Sequence, residues 1–312
     1  MIYGLLAALT WAFDTVVLSI AFNNAVFTAT AAAIALATFT STFLHDCSSA
    51  IFAFLYMGVR KKLADTWRVV KSRDGLWIIL AAIIGAPIGM TGYVLAVNNI
   101  GAAYAAAISA FFPAWGALLS RIFLKEEMKW YQWIGLIASL TAVAVLGWTP
   151  AEGVPGNWTT GVIGALVCVF GWGTEAVIIA WALRNSSVED EVAMQIRQTT
   201  SAISYALVIL PFLGAWPETI NVLRSSAMIP IVIAAFSGTA SYLCYYRAIG
   251  QIGAAKAMAL NTTYSAWAIP FSLVLLGSMP SVKGIICAIV IIVGAIVAAS
   301  DVKELFSKGD AQ

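Results

Sequence analysis

The feature that most constrains this chain is a succession of apolar runs, each about as long as a membrane is thick. A helix needs roughly 20 mainly apolar residues to cross the hydrocarbon core of a bilayer. The runs predict ten such helices and leave 58–75 as the longest polar stretch. The predicted helices cover about 3–22, 29–57, 76–97, 102–124, 130–148, 160–183, 191–214, 227–248, 253–276 and 282–300. The predicted fold class is therefore an all-α polytopic membrane protein.

Composition supports this class and excludes two others. Of the 312 residues, 61% are hydrophobic and only 10% are charged, whereas roughly 25% are charged in an ordinary soluble chain. The 17 Lys and Arg residues nearly balance the 15 Asp and Glu residues. Because that balance leaves no dominant basic field, nucleic-acid binding is excluded. We expect the lipid bilayer to be the main partner of the protein surface.

Lys and Arg residues are concentrated in alternate loops between the predicted helices. Fourteen of them fall on the side that contains 58–75, whereas the opposite side has only Arg224 and Lys283. Cytoplasmic loops of membrane proteins carry the excess of basic residues. The distribution therefore predicts that both termini lie in the cytoplasm.

The two halves of the chain resemble each other. Trp11-x-x-Asp14 in the first helix corresponds to Trp172-x-x-Glu175 in the sixth, and the motifs of 93–115 return shifted by 152 residues. Five helices per half is an odd number, so the second copy enters the membrane from the opposite side. This predicts an inverted-topology repeat. The predicted domains are a first five-helix repeat (1–148), an extracytoplasmic linker (149–158), a second five-helix repeat (159–300) and a cytoplasmic tail (301–312).

Five charged or histidine side chains lie well inside the predicted spans rather than at their ends: Asp14, His45, Asp46, Glu175 and Arg197. A charge at the bilayer centre costs on the order of 3 kcal/mol, so such groups usually line an aqueous cavity or are paired. We assign all five to a polar and coupling network, with Glu175 as the strongest candidate because it recurs with its Trp.

Each of the other four also has a purely structural interpretation. Asp14 would bind a neighbouring helix or cap a kink. His45 and Asp46 lie about 100° apart around a helix, so only one points straight at the axis of a cavity. Arg197 would either reach the interface or neutralise an acid.

Aromatic residues form the second group of candidates. Trp11 and Trp172 lie near mid-span, where an indole N–H needs a polar partner. Helical spacing puts two further sets each on one helix face, although such stripes are often simple packing. These sets are Tyr242, Tyr245 and Tyr246 in the eighth helix, and Asn261, Tyr264 and Trp267 in the ninth.

Together the two groups predict the class of ligand. Each Trp or Tyr face attracts a desolvated cation by on the order of 1–2 kcal/mol. A quaternary ammonium suits such a site because it donates no N–H bonds. An anionic ligand would instead require several intramembrane cations, and Arg197 is the only one well inside a span. We predict a small cation as the ligand.

Several motifs together carry a resemblance to a known family. They are His45-Asp46, Gly85-Ala-Pro-Ile-Gly-Met90, Trp172-Gly-Thr-Glu175, Ile196-Arg197-Gln198, Ser241-Tyr-Leu-Cys-Tyr-Tyr246, Ala255-Lys-Ala257 and Asn261-Thr-Thr-Tyr264-x-x-Trp267. With these motifs the chain resembles the drug/metabolite transporter superfamily, with two copies of the EamA-type five-helix unit. Within it, the chain is similar to bacterial choline transporters of the Lic pathway.

The resemblance implies proton-coupled choline import across a bacterial inner membrane, by alternating access around a midplane cavity. It implies Glu175 as the counter-charge and His45 and Asp46 as polar partners nearby. Asp14 departs from the family, where we expect a small residue, which puts the choice of cation or the coupling in question. The residues implied near the ligand are Trp11, Trp172, Tyr242, Tyr245, Tyr246, Tyr264 and Trp267.

Three alternatives compete with this hypothesis. The first is an exporter of amino acids or other small metabolites or drugs on the same fold. A membrane enzyme is disfavoured because the chain has one histidine and neither H-E-x-x-H nor G-x-S-x-G. A channel fits a closed aromatic site poorly. We therefore expect no catalytic residue, no cofactor and no metal site, and we leave monomer and homodimer both open.

Overall fold

The computed structural model describes residues 1–148 and 156–300. Ten helices in these residues are long and apolar enough to cross a membrane, which confirms the predicted all-α polytopic fold. We number them α1 to α10: Ile2–Phe22, Ala31–Val59, Arg73–Gly101, Tyr104–Leu124, Trp130–Gly147, Trp158–Asn185, Asp190–Leu213, Met228–Ile252, Ala254–Leu276 and Val282–Ala299. The predicted tail 301–312 and most of the predicted linker 149–158 lie outside the described residues.

Two short helices lie between spanning helices. Leu63–Val70 connects α2 to α3, and Trp216–Leu223 connects α7 to α8. Side-chain oxygens mark where several helices begin. Thr30, for example, accepts a hydrogen bond from the backbone N–H of Ala33 at the start of α2. Such N-caps satisfy backbone donors that have no partner within the helix.

The outer surface of the bundle is apolar. Phe212 is 87% exposed and Val274 is 79% exposed. Exposure of such large apolar side chains to water is unfavourable. Contiguous apolar surface of this kind marks a membrane-facing or interaction surface. Together with the ten helices, it identifies the chain as a multi-pass membrane protein.

Helix pairs from the two halves pack against each other. Helix α1 lies along α8, while α3 lies along α6; α2 contacts α7, and α5 contacts α10. The α3–α6 pair is close because a Cβ built on Gly92 would lie 2.6 Å from the Gly164 carbonyl oxygen. Small residues at such contacts let helix backbones approach in a membrane.

The largest buried apolar cluster occupies one end of the bundle. Its members include Met57 near the end of α2, Ile78 near the start of α3 and Met194 near the start of α7. Those helix ends adjoin the basic loop 58–75. We call this the basic end of the bundle. The core fills the space between the helices there.

Helices α4 and α9 are both interrupted within the membrane. Helix α4 breaks at Ala110 and Phe111, and α9 breaks at Thr262 and Thr263. Before each break stands a glycine in the left-handed φ region, with φ +81° at Gly101 and +83° at Gly253. Glycines and breaks are each related by the shift of 152 residues. The same irregular backbone thus occurs at equivalent places in both halves.

Candidate functional site

A cavity of about 220 Å³ lies between the helices near the middle of the bundle. Drug-sized pockets are usually larger, roughly 300–1,000 Å³, so this volume suits a compact ligand. Twelve of the thirteen candidate residues line the cavity: Trp11, Asp14, His45, Asp46, Trp172, Glu175, Arg197, Tyr242, Tyr245, Tyr246, Asn261 and Tyr264. The cavity therefore gathers residues of α1, α2, α6, α7, α8 and α9.

Aromatic rings contact one another around the cavity. Trp11 of α1 meets Tyr242 of α8 edge to face, with ring centroids 5.5 Å apart. The Tyr246 ring lies 6.2 Å from Tyr242 and 6.4 Å from Tyr245. On the other side, Trp172 packs against Phe112 of α4. Edge-to-face contacts of this kind fix ring orientation, so the cavity wall presents a set of oriented π surfaces.

His45 lies between two carboxylates. Its Nε2 atom is 3.2 Å from Oδ1 of Asp14, and its Nδ1 atom is 3.0 Å from Oδ1 of Asp46. All three side chains are at most 8% exposed. Ser201 of α7 donates a hydrogen bond to the other oxygen of Asp46 at 2.5 Å. One histidine thus links α1 to α2 and stands where a proton changes the charge of the cavity.

Glu175 is held by an arginine rather than left free. Nε of Arg197 lies 2.9 Å from Oε1 of Glu175, and the Tyr246 hydroxyl donates to the same oxygen at 3.4 Å. The Arg197 guanidinium also lies 4.3 Å from the Tyr242 ring centroid and 3.7 Å from Oδ2 of Asp46. Arg197 therefore pairs with an acidic residue in the structure and does not reach for the membrane interface.

The charges of these five groups do not cancel. Asp14, Asp46 and Glu175 are three carboxylates, whereas Arg197 supplies one fixed positive charge. The sum for ionised carboxylates is −2 when His45 is neutral and −1 when it is protonated. The cavity therefore attracts cations in both protonation states of His45.

Glycines make room for the buried carboxylates. A Cβ built on Gly85 would lie 1.7 Å from Oε2 of Glu175, and one on Gly238 would lie 2.8 Å from Oδ2 of Asp14. Gly85 belongs to a π-helical turn, Ile84–Ile88, that contains Pro87. Such turns often occur at functional sites. The widened turn in α3 brings backbone without a side chain against the Glu175 carboxylate.

Polar side chains extend the network away from the cavity. Arg197 donates to Gln198 at 2.7 Å, and Gln198 donates to Ser49 of α2 at 2.5 Å. The Ser49 hydroxyl shares a hydrogen bond of 2.8 Å with Thr239 of α8. Buried polar groups that are satisfied in this way hold their neighbours in one geometry. The chain of bonds thus ties α7 to α2 and α8.

Trp267 does not line the cavity. Its side chain is half-buried on α9, and its indole nitrogen has no partner in the described residues. Trp267 lies one turn beyond Tyr264 on the same helical segment, Tyr264–Leu276. The two side chains share a face, as the spacing predicts, but Trp267 is farther along the helix than the α9 residues that line the cavity.

Several cavity residues were not singled out from the sequence. Phe112 and Met90 line the cavity. The sequence does not distinguish such apolar residues from the other apolar residues of the same helix. The shift of 152 residues from Phe112 to Tyr264 was the one pattern that would have found it. Among the described residues, no group of three or more His, Cys, Asp or Glu side chains is arranged to hold a metal ion.

Comparisons with known proteins give a family, a curated relative and a shared fold. The model of the EamA-like transporter family matches residues 1–148 and again 159–300. Protein LicB of Haemophilus influenzae is 35% identical over 193 residues, which are 61% of this chain and 63% of LicB. The match thus spans less than two thirds of that relative. A crystal structure at 19% identity covers 95% of this chain and 96% of its own, with a TM-score of 0.72, which shows a shared fold.

Proposed function

The chain belongs to the EamA-like transporter family, and from this premise we propose that it imports choline or a related quaternary amine. It is a membrane transporter and not an enzyme. One observation carries the choice of substrate: the cavity combines oriented aromatic rings with an excess of carboxylates over fixed cations. The 220 Å³ volume suits a compact head group.

The hydrogen bonds of the carboxylates favour a quaternary amine over a primary one. Glu175 already accepts bonds from Arg197 and Tyr246, and Asp46 accepts from Ser201. These oxygens therefore have less need of N–H donors from a ligand. The ring faces supply on the order of 1–2 kcal/mol each to a desolvated cation. Asn261 also lines the cavity and its Oδ1 atom has no partner, so it supports a ligand with a hydroxyl donor.

His45 supports proton coupling. It contacts Asp14 and Asp46 at 3.2 Å and 3.0 Å, and protonation changes the cavity from −2 to −1. An imidazole can take up a proton, and two neighbouring carboxylates stabilise its charged form. In the proposed cycle the proton and the cationic substrate enter the same anionic cavity, and release of one alters the affinity for the other.

We further propose that the two halves rock around the cavity as inverted repeats. The equivalent breaks in α4 and α9 and the reciprocal pairs α1–α8 and α3–α6 support this mechanism. The distribution of Lys and Arg supports cytoplasmic termini in a bacterial inner membrane. An inward-negative potential favours import of a monovalent cation by about 2.3 kcal/mol per 100 mV.

Counterflow in proteoliposomes tests the substrate. Vesicles are loaded with unlabelled choline, betaine or an aromatic amino acid, and exchange of external labelled compound is followed. We expect choline to exchange and the amino acid not to. Exchange of the amino acid without choline would contradict the proposal and favour an exporter on this fold.

Two variants sharpen the same assay. Tyr245→Ala removes a ring that lines the cavity, whereas Trp67→Ala removes an exposed ring on the short helix Leu63–Val70. We expect choline exchange to fall by roughly tenfold in the first, about 1–2 kcal/mol for one cation–π contact, and to stay unchanged in the second. If both variants reduced exchange equally, the aromatic cavity would not be the binding site.

A further inference from the structure

A second cavity adjoins the candidate site. Its volume is about 180 Å³, and it lies between α3, α4, α5 and α9. Three aromatic side chains, Phe112, Trp172 and Tyr264, line both cavities and so form a shared wall. We call the two spaces the main cavity and the side cavity. The shared wall is the part of the structure that touches both spaces.

The two cavities differ in chemistry. All five ionisable groups of the network line the main cavity. The residues that line the side cavity include no charged side chain; Ala106, Ser109, Leu146 and Tyr93 are examples. A cationic head group therefore favours the main cavity. The side cavity suits an uncharged arm attached to such a head.

The wall is held in place mainly by its neighbours. The Trp172 ring stacks on Tyr93 with centroids 5.8 Å apart and meets Phe112 edge to face at 5.7 Å. A Cβ built on Gly89 would lie 3.0 Å from Cδ1 of Trp172, so the indole also lies against the α3 backbone. Trp172 is thus packed on several sides and Tyr264 carries a hydroxyl, so Phe112 is the wall residue whose removal takes away bulk without a polar group.

Phe112 also has a distinctive place in the chain. It is the first residue of the helical segment after the break in α4, as Tyr264 is after the break in α9. The two positions are related by the shift of 152 residues. Equivalent breaks in the two halves therefore present two rings to one wall. Phe112 has no hydroxyl and no charge, so its contribution there is its bulk.

We propose that Phe112 is a specificity-determining residue that excludes larger quaternary amines by closing the side cavity to their uncharged arms. The inference rests on the proposed function, because it assumes that a quaternary ammonium head binds in the main cavity. Phe112→Ala would join the two cavities and admit a ligand with a longer arm. A pocket of matched shape discriminates by roughly 10-fold or more for such small changes of volume.

The experiment compares two ligands that share one head group. Choline and its butyryl ester are titrated against purified protein by calorimetry, for the wild type and for Phe112→Ala. We expect Phe112→Ala to bind the ester roughly 10-fold more tightly than the wild type does, with little change for choline. Phe111→Ala is the matched control, since that neighbouring ring is 40% exposed and lines neither cavity.

A second substitution fills the side cavity again. Ala106 lines the side cavity but not the main one, so the double variant Phe112→Ala/Ala106→Leu restores its occupancy. We expect the gain in ester affinity to disappear in the double variant. Phe112→Leu, which keeps an apolar side chain at the wall, is expected to show a smaller gain and covers the case in which Phe112→Ala does not fold.

Separate outcomes contradict the two proposals. If the wild type binds neither choline nor its ester, the proposed function is wrong. If the wild type binds choline but the two Phe112 variants bind the ester no better than the wild type, only the role of Phe112 is wrong. Retention of the gain in the double variant would also overturn the side cavity as the place of the arm.

Discussion

Two clusters of charged residues in this protein use the same ion-pair chemistry in different surroundings. The midplane cluster comprises Asp14, His45, Asp46, Glu175 and Arg197, whose side chains are at most 10% exposed. The rim cluster lies at the basic end of the bundle, where α2 ends and α7 begins. It comprises Tyr56, Arg60, Lys62, Glu189 and Glu191.

The rim cluster is more open to water. Arg60 is 50% exposed and Glu189 is 53% exposed, although Glu191 is buried and accepts a hydrogen bond from Tyr56 at 2.8 Å. Lys62 forms ion pairs with both Glu189 and Glu191. These contacts join the first half of the chain to the second at one end of the bundle.

The difference between the clusters lies in what happens when a partner is lost. Water solvates an exposed charge, so a surface pair contributes about 0–1 kcal/mol. A buried charge without a partner costs about 3–5 kcal/mol. Each charge of the midplane cluster therefore needs a partner, and its net negative charge responds when a cation or a proton binds. The rim cluster tolerates imbalance and serves mainly to connect helices.

The largest expected effect is on stability at the midplane. Arg197→Gln leaves Glu175 and Asp46 without their cation, and we expect a loss of about 3–5 kcal/mol in the free energy of unfolding. Chemical denaturation in detergent micelles measures it. The double variant Arg197→Gln/Glu175→Gln is expected to recover part of the loss because the pair is coupled. If Arg197→Gln were as stable as the wild type, loss of a partner would cost no more at the midplane than at the rim, which would contradict the distinction between the clusters.

The next effect is on ligand binding. In Gly85→Ala the new Cβ would lie 1.7 Å from Oε2 of Glu175, so the carboxylate has to move away from Arg197. We expect choline affinity to fall by roughly tenfold, about 1.4 kcal/mol, in calorimetric titration. Gly58→Ala is the control, because its Cβ would only touch Leu63 at 3.8 Å. Unchanged affinity in Gly85→Ala would show that the position of Glu175 does not matter for binding.

A change in pH dependence is expected to follow from the one histidine. His45→Gln keeps a hydrogen-bonding side chain between Asp14 and Asp46 but removes the one imidazole of the chain. We expect an inward proton gradient to increase choline uptake by the wild type and to have little effect on uptake by the variant. Tyr264→Phe is the control, because it changes the cavity wall and leaves Asp14, His45 and Asp46 in place. If His45→Gln responds to pH as the wild type does, the coupled proton does not bind at His45.

The smallest effect is expected at the rim. Lys62→Ala removes two ion pairs, but Glu189 is exposed and Glu191 keeps Tyr56 and Arg60 as partners. We therefore expect a loss of about 0–1 kcal/mol in stability, compared with none for Lys61→Ala at the exposed neighbouring position. The carboxylates of Glu189 and Glu191 raise the pKa of Lys62 above its usual 10.5. The contribution is therefore present below pH 10.5 and is lost as pH rises through the raised value. A loss as large as that of Arg197→Gln would contradict the distinction between the clusters.

Much of the fold and most of the site were predictable from the sequence. Apolar runs of membrane length marked all ten helices, and the sequence bounds agree with the structure within a few residues for most of them. The rarity of charge inside those runs singled out the midplane cluster. Asp14 and Glu175 stood out because an ionisable group in a membrane requires a compensating environment.

Other features depended on contacts between helices. The pairing of Glu175 with Arg197 joins α6 to α7, and that of Asp14 with His45 joins α1 to α2. Residue spacing along one helix does not determine which face of another helix it meets. Trp267 shows the same limit: the spacing places it on one face with Tyr264, but it lies a turn beyond the α9 residues that the other helices enclose around the cavity.

The sequence by itself determined that this protein lies in a lipid bilayer, how many helices cross it, and which residues are able to form an aromatic, acidic site. Those properties follow from transfer free energies, which are set residue by residue. The tertiary structure alone decided which charges pair, that Gly85 makes room for a carboxylate, and that Phe112 stands between two cavities. These depend on helix breaks and interhelical contacts, and a contact is a property of two surfaces together.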